Sequence, residues 1–158
     1  MAHRIQRLLP GDITLVHGML TMFGEAFEDV PTYGAKRPSA AYLDELLGGP
    51  SFIALVAVKG REVVGGLAAY ELRKFEQERS ELYIYDLAVA TDHRREGIAT
   101  ELIQQLCLIA KQRGAYVVYV QADLVDAPAI ALYTKLGTRE DVLHFDIAVD
   151  GAAPNASP

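Results

Sequence analysis

One cysteine, Cys107, is all the sulfhydryl chemistry this sequence offers, so no disulfide can close within the chain. It falls in the apolar part of an expected helix, where a thiol reads as buried and inert. No apolar run approaches the ~20 residues that a membrane span requires. The first residues, MAHRIQRLLPGD, carry no apolar signal-peptide core, which leads us to expect a cytoplasmic protein. Bases are also short: fifteen Lys and Arg against twenty-one Asp and Glu give a net charge of -6. That balance speaks against nucleic acid as a partner and mildly for a small cationic molecule. His93 and His144 stand alone, and no His, Cys and Asp spacing suits a metal. Nucleotide loops of the Gly-x-Gly-x-x-Gly and Gly-Lys-Ser/Thr kinds are missing, as is a Gly-x-Ser-x-Gly elbow. Repeats and low-complexity blocks are absent too.

What remains is a chain of 158 residues, 51% hydrophobic. It suits one domain over residues 1–150, able to bury about two thirds of its unfolded surface. A first strand is expected at 4–9, stopped by Pro10-Gly11. Asp12 then offers an N-cap to a helix with Ile13, Val16, Met19, Leu20 and Phe23 on one face. Residues 25–38 read as a loop from their Pro and Gly content. Ser39 caps a second helix with Tyr42, Leu43, Leu46 and Leu47 inward, ended by Gly48-Gly49. Strands at 52–58 and 63–72 flank Lys59-Gly60-Arg61 as a hairpin. A central strand and helix follow, with Gly114 closing the helix. A buried strand is expected at 116–122 and a helix at 126–136, with Pro128 in its first turn and Gly137 at its end. A last strand is expected at 142–149, and the tail GAAPNASP has nothing to bury and reads as disordered. The order β-α-α-β-β-β-α-β-α-β gives an α/β mixed sheet with helices on both faces.

The most informative stretch is 82–100, LYIYDLAVATDHRREGIAT. Its first half is rich in aromatic and β-branched residues and ends in Leu87-Ala88-Val89, a buried strand. A short polar connection leads to Arg94-Arg95-Glu96-Gly97-Ile98-Ala99-Thr100 and a helical stripe of Ile98, Leu102, Leu106 and Ile109. A strand, a tight turn and a helix start built on small residues present backbone N–H groups at the positive end of a helix dipole. Gly97 and Ala99 let an anion approach, and Arg94 and Arg95 add charge. Such a place suits a pyrophosphate.

Read as Arg-x-x-Gly-x-Ala after Leu-Ala-Val, this stretch resembles the coenzyme A loop of the GCN5-related N-acetyltransferases (GNATs). A second motif agrees. The helix that often reads Asn-x-x-Ala-x-x-Leu-Tyr-x-x-x-Gly-Phe in that superfamily is matched here by Asp126, Ala129, Leu132, Tyr133 and Gly137. Asp126 replaces the Asn and Thr138 the Phe. The blocks FIAL at 52, KFEQ at 74, YIYDLAV at 83, YVQAD at 119 and HFDI at 144 look like the type I aminoglycoside 3-N-acetyltransferases. The resemblance implies the GNAT fold: a mixed, mostly antiparallel sheet whose central strands splay apart. It implies acetyl-CoA as donor, no metal, and the 3-amino group of a gentamicin-like 2-deoxystreptamine antibiotic as acceptor. Coenzyme A would meet Leu87, Ala88, Val89, the run 94–100, Asp126, Ala129 and Tyr133. Tyr133 would be the general acid that reprotonates the leaving thiolate, and a backbone N–H near 87–89 would receive the thioester oxygen.

An aminoglycoside is a polycation, so its site should be rich in carboxylates. The candidates for binding it are Asp29, Glu81, Asp86, Asp123 and Asp146, with Tyr83 and Tyr85 beside them. Asp86 is the only charge between Leu82 and Val89. A carboxylate so placed pairs with a base or donor inside the fold, or meets substrate. The acceptor amine must lose a proton before it attacks, and burial raises the proton affinity of a carboxylate. Asp86 is the first choice for that base and Asp123 the second. Two other readings stay open: an acetyltransferase for another cationic amine, such as a polyamine or a peptide, and a non-catalytic acetyl-CoA sensor. The sequence leaves the range of antibiotics and a homodimer undecided.

Overall fold

In the computed structural model, which describes residues 2–151, five strands form one sheet in the order β1-β2-β3-β4-β5. These are β1 (Arg4–Arg7), β2 (Phe52–Lys59), β3 (Glu62–Arg73), β4 (Ser80–Val89) and β5 (Ala115–Val120). The first four run antiparallel to their neighbours, and β5 lies parallel to β4. The chain divides into two compact units, Met1–Gln121 and Ala122–Pro158. All five strands belong to the first unit, with α1 (Ile13–Ala26), α2 (Val30–Gly34), α3 (Ala40–Gly48) and α4 (Ile98–Arg113). The second unit holds α5 (Ala127–Leu136).

Strand alternation sorts the core into two layers. Phe52, Ala54, Val56 and Val58 of β2 share one cluster with Val16, Met19, Met22 and Phe23 of α1 and with Leu43 and Leu47 of α3. The intervening Ile53, Leu55 and Ala57 are equally buried on the opposite face. Adjacent glycines of β3 mark both faces. A Cβ at Gly65 would strike Ile98 of α4 at 2.8 Å, and one at Gly66 would strike Met19 of α1 at 2.8 Å. Helices therefore press so closely on each side of the sheet that a side chain at either position would force its neighbours to shift.

Helix ends follow the local chemistry. Ser39 accepts a hydrogen bond from the Tyr42 amide, and Gly114 closes α4 at φ +74°. Asp12 precedes α1 but does not cap it; its carboxylate turns back to accept from the Leu9 amide at 2.8 Å.

Several expectations are corrected. The segment 25–38 is not all loop, because Asp29 caps the one-turn helix α2 by accepting from the Thr32 amide, with Pro31 in its first turn. Asp-Val-Pro was a helix start. Cys107 is exposed rather than buried. The face of α4 that enters the core carries Ile98, Leu102, Ile103, Leu106 and Ala110, and Cys107 lies about 100° around the helix from its centre. β5 is shorter than expected and forms the sheet edge, with Tyr116 and Val117 exposed. No strand forms over 142–149: Val142, Leu143, Phe145, Ile147 and Val149 are exposed there. Alternation makes a segment fit to be a strand, but pairing makes it one. The tail, from residue 152 on, lies outside the described residues.

Candidate functional site

The central strand β4 carries a β-bulge. Asp86 sits opposite Ala68 of β3 while Ile84 sits opposite the next residue, Ala69, which leaves Tyr85 as the extra residue. Residues two apart in a regular strand share a face. Here the bulge breaks that rule: Ile84 is buried with the α4 layer, whereas Asp86 turns to the face covered by α1 and α2. On that face the Tyr33 hydroxyl of α2 donates to Asp86 Oδ1 at 3.0 Å. Beyond Ile84 opposite Val120, β4 has no further pairing with β5. The backbone of 85–89 on that side is thus free of ladder bonds, apart from the Val89 carbonyl, which accepts from Arg94 Nε at 3.2 Å.

Tyrosines surround the carboxylate. The Tyr85 ring meets Tyr70 edge-on at 6.0 Å and Tyr83 at 5.7 Å, and Tyr83 stacks on Tyr119 at 4.7 Å. Tyr83 also donates to Gln121 Oε1 at 2.8 Å. Burial raises the proton affinity of Asp86, and the hydrogen bond from Tyr33 partly opposes the shift. No cation lies within ion-pair reach of Asp86 among the described residues. A half-buried carboxylate with one donor and a wall of π-faces can take a cationic amine or a proton.

The helix start behaves as its sequence suggests. Gly97 adopts φ +80° and α4 has no side-chain cap, so its first amides are open. A Cβ on Gly97 would meet nothing within 4 Å. Arg95 is itself left-handed at φ +66°, a conformation that side chains rarely take outside constrained sites. Glu96 is drawn aside by Lys59 at 2.5 Å and by His93 at 3.5 Å, which leaves its backbone rather than its side chain for a ligand. Open amides, a glycine that bars nothing and the two arginines of the connection fit the diphosphate of coenzyme A.

The remaining candidates are distributed more widely. Asp29 is occupied as the cap of α2 and acts on Tyr33 through its charge. Glu81 is engaged by Lys74 at 3.5 Å and by the Tyr116 hydroxyl. In the second unit Asp126 caps α5, accepting from the Ala129 amide at 3.2 Å, while the Asp123 carbonyl accepts from the Asp126 amide. Burial and the nearby Asp126 carboxylate push the Tyr133 phenol up to about 12. Asp146 is exposed and paired with His144 at 2.8 Å. Sequence reading missed Tyr33, Tyr70, Tyr119 and Gln121. Only Tyr33 had a local signal, since the helix start before it was there to be read.

The acetyltransferase (GNAT) family model matches residues 18–138. An aminoglycoside acetyltransferase from an uncultured soil metagenomic sample is 58% identical, with a TM-score of 0.92, over 94% of this chain and 99% of its own. A second such enzyme from a soil metagenome, solved in complex with sisomicin, is 32% identical with a TM-score of 0.85, over 93% of this chain and 96% of its own. Among curated proteins, N-acetyltransferase 8B of Rattus norvegicus is 29% identical over 90 residues, 57% of this chain and 40% of that protein. The chain thus spans less than half the length of the curated relatives it matches.

Proposed function

The chain belongs to the acetyltransferase (GNAT) family, and from that premise we propose that it acetylates a 2-deoxystreptamine aminoglycoside, at the 3-amino group of a gentamicin-like antibiotic, and so confers resistance. The observation that carries this reading is the 58% identity, over nearly the whole of both chains, to an aminoglycoside acetyltransferase. We take residues 1–150 as the chain's catalytic domain.

Bound acetyl-CoA supplies an acetyl group activated on sulfur. The open amides of 98–100 and the arginines Arg94 and Arg95 hold its diphosphate. A free N–H along 87–89 donates to the thioester oxygen as charge develops there. Asp86 takes the proton from the acceptor ammonium, directly or through a water, and the amine then attacks. Tyr133 donates toward the departing sulfur. Tyr83 and Tyr85 offer π-faces to the sugar rings and their ammonium groups. Asp123 and Asp146 stay in the proposal as secondary carboxylates for the polycation, and Asp29 and Glu81 contribute field rather than contact.

Coenzyme A release measured against a panel of gentamicin, sisomicin and polyamines tests the substrate, and NMR of the product locates the acetyl group. A polyamine preferred over every aminoglycoside would overturn the reading; acetylation at another amine would remove the 3-amino assignment. Gly97→Val should weaken acetyl-CoA binding at least about tenfold by calorimetry. A β-branched residue is strained at φ +80°, and its side chain would fill the space left to the diphosphate. Gly97→Ala, with a thermal melt, separates strain from obstruction. Unchanged affinity in Gly97→Val would count against the loop.

A further inference from the structure

We propose that Tyr33 is a positioning residue for Asp86: through its O–H it orients the carboxylate and holds it ready to accept the acceptor's proton. The inference rests on Asp86 being the base of the acetyl transfer proposed above. It starts from how firmly Tyr33 is held. Its ring packs between Phe23 at 5.9 Å and Phe27 at 5.6 Å. α2 lies hard against α1, where a Cβ on Gly24 would meet Val30 Cα at 3.3 Å and Tyr33 Cβ at 3.4 Å. Arg37 locks the far end, donating from Nε to the Tyr33 carbonyl at 3.3 Å and from Nη2 to Thr21 Oγ1 at 2.6 Å. Asp29 caps the near end. A five-residue helix is thus clamped at both ends, and the one polar side chain it sends to the sheet is the Tyr33 hydroxyl.

That hydroxyl reaches a carboxylate with no cation partner among the described residues. An aspartate's terminal torsion is broad, so the bulge alone does not fix the plane of the carboxylate. The bond to one oxygen fixes that plane and directs the other oxygen elsewhere. It also bears on charge. The groups that feel this carboxylate are Tyr33 from α2, Tyr70 from β3 and Tyr83 from β4, none of which can carry a positive charge. Burial favours the protonated acid, and only the Tyr33 donor favours the ion. Tyr33 itself is not the acid or the base. Burial and Asp86 hold its phenol well above the usual range, so it keeps its proton throughout.

Tyr33→Phe keeps the ring contacts with Phe23 and Phe27 and removes only the donor. Turnover at neutral pH should fall about tenfold or more with KM for the antibiotic nearly unchanged. The acid limb of the rate profile should move to higher pH, because the ion has lost its stabilising partner. Site-specific 3-fluorotyrosine at position 33, a stronger donor of nearly the same shape, should move that limb the other way, and it keeps the question answerable if the Phe variant folds poorly. Carbon-13 NMR titration of the Asp86 carboxyl in the substrate-free protein reads the same shift without any activity. An Asp86 midpoint that is the same in parent, Phe and fluorotyrosine proteins would overturn the inference. A parent protein that acetylates no amine, with the midpoint shifts intact, would overturn the proposed function instead and leave the Tyr33–Asp86 coupling standing.

Discussion

Asp86→Asn is expected to lower turnover by ~10²–10⁴ at neutral pH while making the protein more resistant to heat. The two effects share one cause. Asn keeps the shape of the side chain and can still accept from the Tyr33 hydroxyl, but it carries no charge and takes no proton. The folded chain holds Asp86 with a raised proton affinity because burial disfavours its ion. The ordinary aspartate value is ~3.9. Below it the carboxyl is neutral in both folded and unfolded chains and the mutation gains nothing by removing charge. As pH climbs through the folded value, the unfolded chain ionises freely and the folded chain does so at a cost, so stability is lost. The Asn variant escapes that loss. Its advantage in melting temperature should therefore open across this window and stay level above it. Turnover should move differently, recovering partly as pH rises and more of the amine arrives neutral. If Asp86 instead anchors a cationic ring, KM will rise with kcat nearly intact. A variant less stable than the parent at neutral pH would make Asp86 a structural carboxylate, and normal kinetics with normal melting would remove it from the mechanism.

The residues that place Asp86 show where sequence reading reaches its limit. β4 and α4 were legible because period-two and helical patterns are local, and the turn between them is spelled out by Arg94, Arg95 and Gly97. The charge at Asp86 was visible for the same reason. Its orientation was not. No glycine or proline marks the bulge at Tyr85, which exists only in the register between β4 and β3. Its donor lies 53 residues away in a helix of one turn, too short for periodicity to reveal. Sheet pairing failed in the other direction at 142–149, where alternation was read correctly and no ladder formed. Local chemistry was readable in this chain, and long-range partnership was not. Asp126 shows the mixed case, since the motif pointed to it for coenzyme A and the structure uses its carboxylate to cap α5.

Tyr133→Phe should lower kcat by roughly 10², the low end for loss of a general acid, and leave acetyl-CoA affinity close to that of the parent. The low end follows from two proton affinities. A thiolate of pKa ~8.5 is a fair leaving group unaided, and a phenol near the ordinary ~10 is already the weaker acid. Burial and Asp126 push Tyr133 up to about 12, which makes full transfer ahead of C–S cleavage less favourable still. The phenol then acts by hydrogen bonding to sulfur as negative charge gathers there, and keeps its proton while the C–S bond breaks. The pH signature is distinctive. A group with its midpoint at about 12 is protonated throughout the assayable range, and its contribution is lost only as pH rises through that value. Tyr133→Phe should accordingly cost the same factor from pH 6 to pH 9, whereas the deficit of Asp86→Asn shrinks over that interval. An acyl donor whose thiol is more acidic should also narrow the gap between Tyr133→Phe and the parent, since its sulfur needs less help to leave. Single-turnover kinetics keep product release from hiding the chemical step. A deficit that tracks pH, or one indifferent to the leaving group, would take the acid's role from Tyr133; parent-like turnover in a chemistry-limited regime would take away every role proposed for its hydroxyl.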